Sequence, residues 1–329
     1  MKIMKYIMPL LLIACMFASC DTDVENATVV APTTYGPQYY KNLRDYKKSD
    51  HSIAWGWFTD YTQSTSLATR FLGLPDSLDI CSLWGGIPSD DSTHVDTHYL
   101  PSVYREMKYV QEVKGTRLVV PTIIRIRTRP EFYDSIWIKQ NDPQAAMRAY
   151  AQDLLRPIFE NGLDGIDMDY EPEGDPLSDS NLDYFVEYVG QFVGPMASPD
   201  ITFTYPDGFT IKGNPNMLLC IDYYGSAPSS NTNKFTNWYV NQTYGGSPGR
   251  LPFGGCPTWK VVYTENVGDR WKASECGQLL NYARYKPSKG RKGGFGAFFM
   301  HRDYINTGFG CSNYANMRHG IQIQNPAIH

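Results

Sequence analysis

Four acidic side chains are concentrated within eight consecutive positions of this chain. Their spacing is D-x-x-D-x-D-x-E, and they are Asp164, Asp167, Asp169 and Glu171. Apolar or aromatic residues alternate with the last three, at Ile166, Met168 and Tyr170. A period of two is typical of a β-strand, in which successive side chains point to opposite faces. We therefore predict a strand that carries Asp167, Asp169 and Glu171 on one face, with Asp164 in the turn before it.

Three carboxyl groups on one face of a strand suit chemistry better than they suit a core. Like charges a few ångströms apart repel, and burying them costs several kcal/mol or raises their pKa values until some stay protonated. A carboxyl that is protonated near neutral pH can act as a general acid, and its neighbours can relay the proton. A solvated edge strand and a calcium-binding loop are the alternatives. A calcium loop takes its ligands from a glycine-containing turn rather than from an alternating strand, so the pattern favours catalysis.

The segment from Asp164 to Glu171, DGIDMDYE, resembles the DGxDxDxE signature of glycoside hydrolase family 18, which contains chitinases and endo-β-N-acetylglucosaminidases. The resemblance implies a (β/α)₈ barrel with this motif on its fourth strand. It implies that Glu171 is the general acid and base, that Asp169 orients the acetamide group of the substrate, and that Asp167 supports Asp169. It also implies substrate-assisted catalysis with retention of configuration, without a metal or an organic cofactor.

The sequence around the acidic strand predicts a single-domain α/β fold, a (β/α)₈ TIM barrel, over residues 51–329. Seven further short apolar runs predict the other barrel strands, at 53–58, 78–83, 118–126, 201–205, 218–223, 260–264 and 295–299. Helical spacing predicts one helix over 142–159 and another after Ser178. The fifth strand, at 201–205, is irregular. Residues 226–250 are rich in Ser, Asn, Thr and Gly and are predicted to form a long loop on the active face.

Residues at the ends of the other predicted strands are candidates for substrate contact. The segment Ile221-Asp222-Tyr223-Tyr224-Gly225 is similar to the corresponding ending in Endo H-like members, where a tyrosine hydrogen-bonds the acetamide. Alignment on that ending favours Tyr223, whereas strand alternation points Asp222 and Tyr224 inward together, so both tyrosines remain candidates. Three more residues at rim positions are predicted to bind sugar hydroxyls or to stack on a sugar ring: Trp84, Glu265 and Asn266.

The composition excludes some classes of partner. With 30 basic and 34 acidic residues the chain has a formal net charge of −4, and no basic patch indicates a nucleic-acid partner. Aromatic residues make up 14 % of the chain, which suits stacking on the apolar faces of sugar rings but equally suits a large core. We expect a monomer whose partner is an N-glycan or another GlcNAc-containing oligosaccharide.

The N-terminus predicts export. Residues 1–20 combine a lysine-bearing start with an apolar run that is too short to span a membrane, which is typical of a secretory signal. Ala18-Ser19-Cys20 resembles a bacterial lipobox, which implies lipidation of Cys20, and the acidic residues after it resemble the export tag of surface lipoproteins. Residues 21–50 are predicted to be a tether. These features predict an outer-membrane lipoprotein exposed at the cell surface, held there only by its lipid; a periplasm-facing lipoprotein and plain secretion are the alternatives.

Within the family that the motif resembles, two features favour an endo-β-N-acetylglucosaminidase that cuts the GlcNAc-β1,4-GlcNAc core of N-glycans. The third strand lacks the Ser-x-Gly-Gly ending common in chitinases. Only about 30 residues separate the predicted seventh and eighth strands, too few for the α+β insertion that walls the cleft of many chitinases. The alternatives are a chitinase-like hydrolase and a non-catalytic surface glycan-binding protein on the same barrel.

Overall fold

The computed structural model describes residues 34–62, 69–304 and 313–326, so the predicted signal segment and Cys20 lie outside the described residues. Its strands are β1 (Ile53–Phe58), β2 (Ile80–Leu83), β3 (Ile87–Ser89), β4 (Thr97–Tyr99), β5 (Arg117–Ile123), β6 (Gly165–Tyr170), β7 (Thr202–Thr204), β8 (Thr210–Lys212), β9 (Leu218–Tyr223), β10 (Trp238–Asn241), β11 (Val261–Asn266) and β12 (Gly294–Phe298). Its α-helices are α1 (Pro37–Lys48), α2 (Pro101–Glu112), α3 (Pro143–Glu160), α4 (Asp179–Val189), α5 (Val267–Arg270), α6 (Leu279–Arg284) and α7 (Ala315–Gln324). In those three ranges, no helix has the length and apolar character needed to cross a bilayer.

Eight parallel strands close into a barrel in the order β1-β12-β11-β10-β9-β6-β5-β2. Helices or short 3₁₀ turns connect successive barrel strands, so the predicted (β/α)₈ architecture is confirmed. Two short strand pairs lie outside the barrel, β3 with β4 and β7 with β8. The acidic strand β6 is the fourth barrel strand along the chain, as the motif implied.

Alternation along the barrel strands divides the core into two layers. The inner layer, inside the barrel, contains Trp55 and Trp57 of β1 and smaller side chains from the other strands, including Val119, Leu218, Cys220, Val240 and Val262. The outer layer lies between the strands and the helices and is larger. Because both faces of each barrel strand are covered, the strands read as apolar runs.

Two strand predictions were wrong in the second half of the chain. Residues 201–205 do not enter the barrel: β7 pairs antiparallel with β8, and Thr202 and Thr204 are exposed, as a barrel strand covered on both faces would not allow. The fifth barrel strand is instead β9, for which the sequence predicts the sixth position. The sixth is β10, which lies inside the segment 226–250 that was predicted to be a loop. The rest of that segment includes a 3₁₀ turn at Ser230–Thr232.

The helices on either side of β6 follow the sequence closely. Asp142 caps α3 by accepting a hydrogen bond from the Ala145 N–H, and Pro157 is accommodated inside the helix. At the other end of the described chain, α1 corrects a prediction. Tyr40 and Leu43 of α1 are buried, and Arg44 donates to the Val113 carbonyl, so residues 37–48 belong to the folded unit and the predicted tether does not extend through them.

Candidate active site

The acidic strand β6 has the predicted alternation. Ile166, Met168 and Tyr170 pack in the outer layer, which leaves Asp167 and Asp169 on the face that points into the barrel. Gly165 allows the start of β6 to pack closely against β9, because a Cβ at this position would lie 2.1 Å from the Leu218 carbonyl oxygen. Asp164 faces away from the row at the opposite end of the barrel, where it accepts hydrogen bonds from Arg117 and from the Leu118 N–H.

Asp167 is the deepest member of the row. It is fully buried, and its Oδ2 accepts hydrogen bonds from Trp57 Nε1 at 2.9 Å and from Ser82 Oγ at 2.8 Å. Burial raises the pKa of Asp167 to about 7, with the charge of Asp169 adding to the rise and the Ser82 hydrogen bond opposing it. This carboxyl therefore exchanges its proton in the range where an enzyme works near neutral pH.

Asp169 forms a pair of neighbouring carboxyl groups with Asp222. It is opposite Asp222 in the register of β6 with β9, and the Gln242 side-chain amide donates to both, at 3.1 Å to Asp169 Oδ1 and 2.6 Å to Asp222 Oδ1. Burial raises the pKa of Asp169 to about 6, opposed by a hydrogen bond from Asp222. Burial and the charges of Asp167 and Asp169 raise the pKa of Asp222 well above its ordinary range. Asp222 therefore holds its proton to a higher pH than an exposed aspartic acid does.

Glu171 follows the end of β6 and is the member of the row that reaches solvent. Its side chain is 26 % exposed, whereas Asp169 is 4 % exposed. Arg125, which follows β5, donates from Nε to the Glu171 backbone carbonyl at 2.8 Å and places Nη2 3.7 Å from Glu171 Oε2. The Arg125 guanidinium is also paired with Glu173 at 2.9 Å. The carboxyl of Glu171 is thus oriented at the open end of the barrel.

Tyr244 completes the site, and the sequence analysis missed both it and Gln242. Burial, followed by the charges of Asp222, Asp169, Glu171 and Asp167, raises the pKa of the Tyr244 phenol well above its ordinary range, so the phenol lies within reach of the charges of the row. Its backbone is left-handed, with φ 38°, a conformation that is uncommon for bulky residues. The sequence pattern that could have identified these two residues is the short apolar run of β10 followed by Gln-Thr-Tyr. It lies within a segment rich in loop-forming residues, which obscures the strand.

The structure decides between the two tyrosines predicted at the end of β9. Tyr223 is buried in the outer layer, on the opposite side of the strand from Asp222, so the alignment in favour of Tyr223 as the acetamide ligand is contradicted. Asp222 points inward, as strand alternation indicated. Tyr224 is 57 % exposed, and its ring stacks on that of Tyr244 with centroids 6.2 Å apart.

The three remaining rim predictions fare differently. Trp84 lies at the barrel mouth with its ring edge-on to Phe298, which also contacts Tyr244. Glu265 does not face the site: it is buried on the outer side of β11, where its oxygens accept from the Asn266 and Gln278 N–H groups. Asn266 caps α5 by accepting from the Asp269 N–H. The predicted sugar contact of Glu265 is therefore wrong, and Asn266 is occupied as a helix cap.

An aromatic row thus crosses the barrel mouth beside the carboxyl groups, formed by Trp84, Phe298, Tyr244 and Tyr224. The apolar C–H faces of sugar rings stack on such surfaces, and the carboxyl and amide groups below can hydrogen-bond a sugar substituent. Together these groups can hold a sugar, bind an amide and donate a proton.

Comparison with known proteins places these features in a family context. The model of the family described as "Glycoside hydrolase family 18, BT1044-like" matches residues 22–200, more than half of the chain. Endo-beta-N-acetylglucosaminidase F2 of Elizabethkingia meningoseptica is 22 % identical over 350 residues, covering 96 % of this chain and 95 % of the relative. The BT1044 structure matches with a TM-score of 0.67 at 22 % identity, over 90 % of this chain and 96 % of its own. An endo-beta-N-acetylglucosaminidase from Cordyceps militaris matches with a TM-score of 0.63 at 20 % identity, over 90 % and 98 % of the two chains.

Proposed function

The chain belongs to glycoside hydrolase family 18 and is a glycoside hydrolase, and from this premise we propose that it is an endo-β-N-acetylglucosaminidase. The proposed reaction is hydrolysis of the GlcNAc-β1,4-GlcNAc core of N-glycans by substrate-assisted retaining catalysis. The observation that carries the proposal is the arrangement of the site. A partly exposed carboxyl, Glu171, lies next to three side chains that can bind an amide, Asp169, Gln242 and Tyr244.

Each side chain has a role that its position supports. Asp169 accepts the N–H of the acetamide on the sugar at the cleaved bond, which aligns the acetamide oxygen with its own anomeric carbon. The tethered oxygen then attacks while Glu171 protonates the leaving oxygen, and tethering gives the attack a very high effective concentration. Water opens the resulting oxazolinium ion with Glu171 as the base, so configuration is retained.

The burial of Asp169 favours this route over direct attack by a carboxylate. Asp169 is 4 % exposed and is already hydrogen-bonded by Gln242, so it is better placed to bind an N–H than to approach an anomeric carbon. Asp167, two residues earlier on β6, and Asp222, opposite on β9, both have raised pKa values and can adjust the charge of Asp169 as positive charge develops on the acetamide nitrogen.

Two observations support the endo-β-N-acetylglucosaminidase over a chitinase. The segment between β11 and β12 contains only α5, α6 and a 3₁₀ turn, so this part of the described chain has no α+β insertion to wall a deep cleft. The curated relative that covers 96 % of the chain is named as an endo-beta-N-acetylglucosaminidase.

Product masses test the proposal. The enzyme is incubated with a glycoprotein and, separately, with chitin oligomers. The glycoprotein should release N-glycans that lack one GlcNAc, and that GlcNAc should remain on the protein. A Glu171→Gln variant should keep glycan binding while kcat falls by about a thousandfold or more. Cleavage of chitin oligomers alone would overturn the substrate, and a wild type that binds glycans but cleaves nothing would indicate a non-catalytic binding protein.

We further propose that Cys20 is lipidated and that the enzyme is an outer-membrane lipoprotein exposed at the cell surface. The support is the lipobox-like Ala18-Ser19-Cys20 and the acidic residues that follow it. Metabolic labelling with a clickable fatty acid should mark the wild type but not a Cys20→Ala variant, and protease added to intact cells should digest the enzyme. Labelled enzyme that resists protease would indicate an orientation toward the periplasm.

A further inference from the structure

A cavity of about 1160 Å³ lies at the end of the barrel opposite Glu171, where the strands begin. Its lining includes the first residues of four barrel strands, Ile53, Ile80, Leu218 and Trp238. Asp164, which faces away from the catalytic row, also lines it. None of the side chains proposed for catalysis contributes to this lining, so a ligand bound here is separate from the sugar chain that is cleaved.

The lining is positively charged, although the whole chain has a formal net charge of −4. Five basic and two acidic side chains line the cavity, which gives it a net charge of +3. The basic ones are Arg44, Lys47, Lys48, Arg117 and Lys212. Both acidic ones are already bonded within the protein. Asp79 accepts hydrogen bonds from His51 and from the Ala54 N–H. Asp164 forms an ion pair with Arg117.

The other four cations have no ion-pair partner within the described ranges, and three of them lie on α1. Arg44 donates to the Val113 carbonyl. Lys47 Nζ donates to Thr116 Oγ1 at 2.8 Å, so this part of α1 is fixed beside the start of β5. Burial lowers the pKa of Lys47 to about 8, against the opposing charges of two nearby carboxylates. An anion in the cavity would stabilise the charged form of this lysine.

The make-up of the lining indicates a phosphate ester. Several lysine and arginine side chains in one cavity can bind a phosphate group through charge-assisted hydrogen bonds. The cavity is much larger than a phosphate ion, and Trp238 supplies an apolar surface beside the charges. Its ring packs on the inner layer of the core and against Trp259, with ring centroids 6.5 Å apart. Such a surface suits the organic part of a ligand.

We propose that this cavity binds a phosphomonoester, with the phosphate at the cations of α1 and the organic group against Trp238. The ligand is either a small ester in solution or the headgroup of a membrane lipid. The two sources present the same phosphate chemistry, and the experiment separates them.

Calorimetry on the full chain in neutral-detergent micelles tests the site. Glucose 6-phosphate is the soluble probe, and inorganic phosphate and glucose are its two parts. Glucose 6-phosphate should bind at least about tenfold more tightly than either part, because both regions of the cavity contribute. Micelles that contain phosphatidic acid are compared with micelles that contain phosphatidylcholine. Tighter binding of phosphatidic acid than of glucose 6-phosphate assigns the site to a lipid headgroup, and the reverse order assigns it to a soluble ester.

A double variant, Lys48→Gln with Lys212→Gln, should weaken binding of the preferred ester by about tenfold and leave the fold intact, because both side chains are exposed. Lys41→Gln with Lys289→Gln is the matched control. It removes the same charge from exposed positions outside the cavity, one of them on α1, and should bind as the wild type does. Glu171→Gln should also bind normally, because Glu171 lies at the other end of the barrel.

Three results would overturn the proposal. The first is equal binding by the wild type and by the Lys48→Gln, Lys212→Gln variant. The second is an equal loss in the control variant, because overall charge rather than the cavity would then attract the ligand. The third is a wild type that binds neither ester more tightly than inorganic phosphate. None of these measurements uses cleavage of a glycan, so they stand apart from the test of the proposed function.

Discussion

Replacing Asp167 with Asn should make the protein more stable at pH 8 and less active. Asp167 is fully buried and carries a pKa of about 7, so above that pH the folded protein holds a charge that water no longer solvates. Asparagine keeps the shape, and its oxygen can accept the hydrogen bonds from Trp57 and Ser82. Its amide nitrogen replaces the oxygen that has no hydrogen bond, beside acidic neighbours that can accept from it.

The magnitude follows from proton linkage. The unfolded carboxyl titrates near 3.8 and the folded one near 7, so between these values the folded state binds more protons and stability falls as pH rises. At 1.36 kcal/mol per pKa unit, the wild type loses at most about 4 kcal/mol across this window. Asparagine does not titrate, so its advantage should be near zero at pH 4, grow through pH 5 to 7 and level off above pH 7. In a chain of this size, each kcal/mol corresponds to about 2 °C in Tm.

Urea denaturation of both proteins at pH 4, 6 and 8 measures this difference directly. Asp164→Asn is the matched control from the same motif, because Asp164 accepts three hydrogen bonds, one of them from Arg117. It should lose about 1–2 kcal/mol at pH 8 instead of gaining stability. An Asp167→Asn variant with the same advantage at pH 4 as at pH 8, or with none at pH 8, refutes the claim that burial of this charge destabilises the fold.

Three further predictions concern other parts of the molecule. Asp222→Asn should raise the free energy of unfolding at pH 7 relative to pH 4, because burial raises the pKa of the Asp222 carboxyl in the folded state and asparagine does not titrate; urea denaturation that shows no gain at pH 7 would contradict this. Tyr244→Phe should lower kcat by about tenfold or more while KM changes little, measured on a glycopeptide substrate, because its phenol lies within reach of the charges of the carboxyl row. Leu43→Ala in α1 should lower the unfolding free energy by about 2–3 kcal/mol in urea denaturation, since Leu43 packs in the folded unit; no loss would support the tether.

The sequence predicts those parts of the fold in which a local pattern is compatible with only one local structure. Alternation fixed the faces of β6, because a shift by one residue would have moved three carboxyls into the outer apolar layer. The cap at Asp142 and the helical spacing after it likewise specify α3 without reference to the rest of the chain. Glu171, Asp169 and Asp167 were therefore predictable as a row, and the structure brings them together.

The strand order of the barrel and the site residues on β10 could not be predicted, because they depend on which strands pair with each other. β10 has only four residues and is flanked by Asn, Thr and Gly, so its burial comes from tertiary contacts rather than from its own pattern. Residues 201–205 have the local pattern of a strand and form one, but they pair outside the barrel. Local β-propensity does not state which partner a strand takes, and without β10 neither Gln242 nor Tyr244 could be placed in the site.

That strand order determines the chemistry. If residues 201–205 had been the fifth barrel strand, Asp222 would lie two strands away from β6, near 10 Å at the usual spacing, and could not share the Gln242 amide with Asp169. In the barrel as it is, β9 pairs directly with β6, Asp169 and Asp222 are opposite each other, and β10 supplies from the other side the amide that bridges them. The motif on β6 alone provides an acid and an acetamide ligand. The carboxyl opposite Asp169 and the amide that hydrogen-bonds it come from the strands next in order, so the motif becomes a working site only in this order of strands.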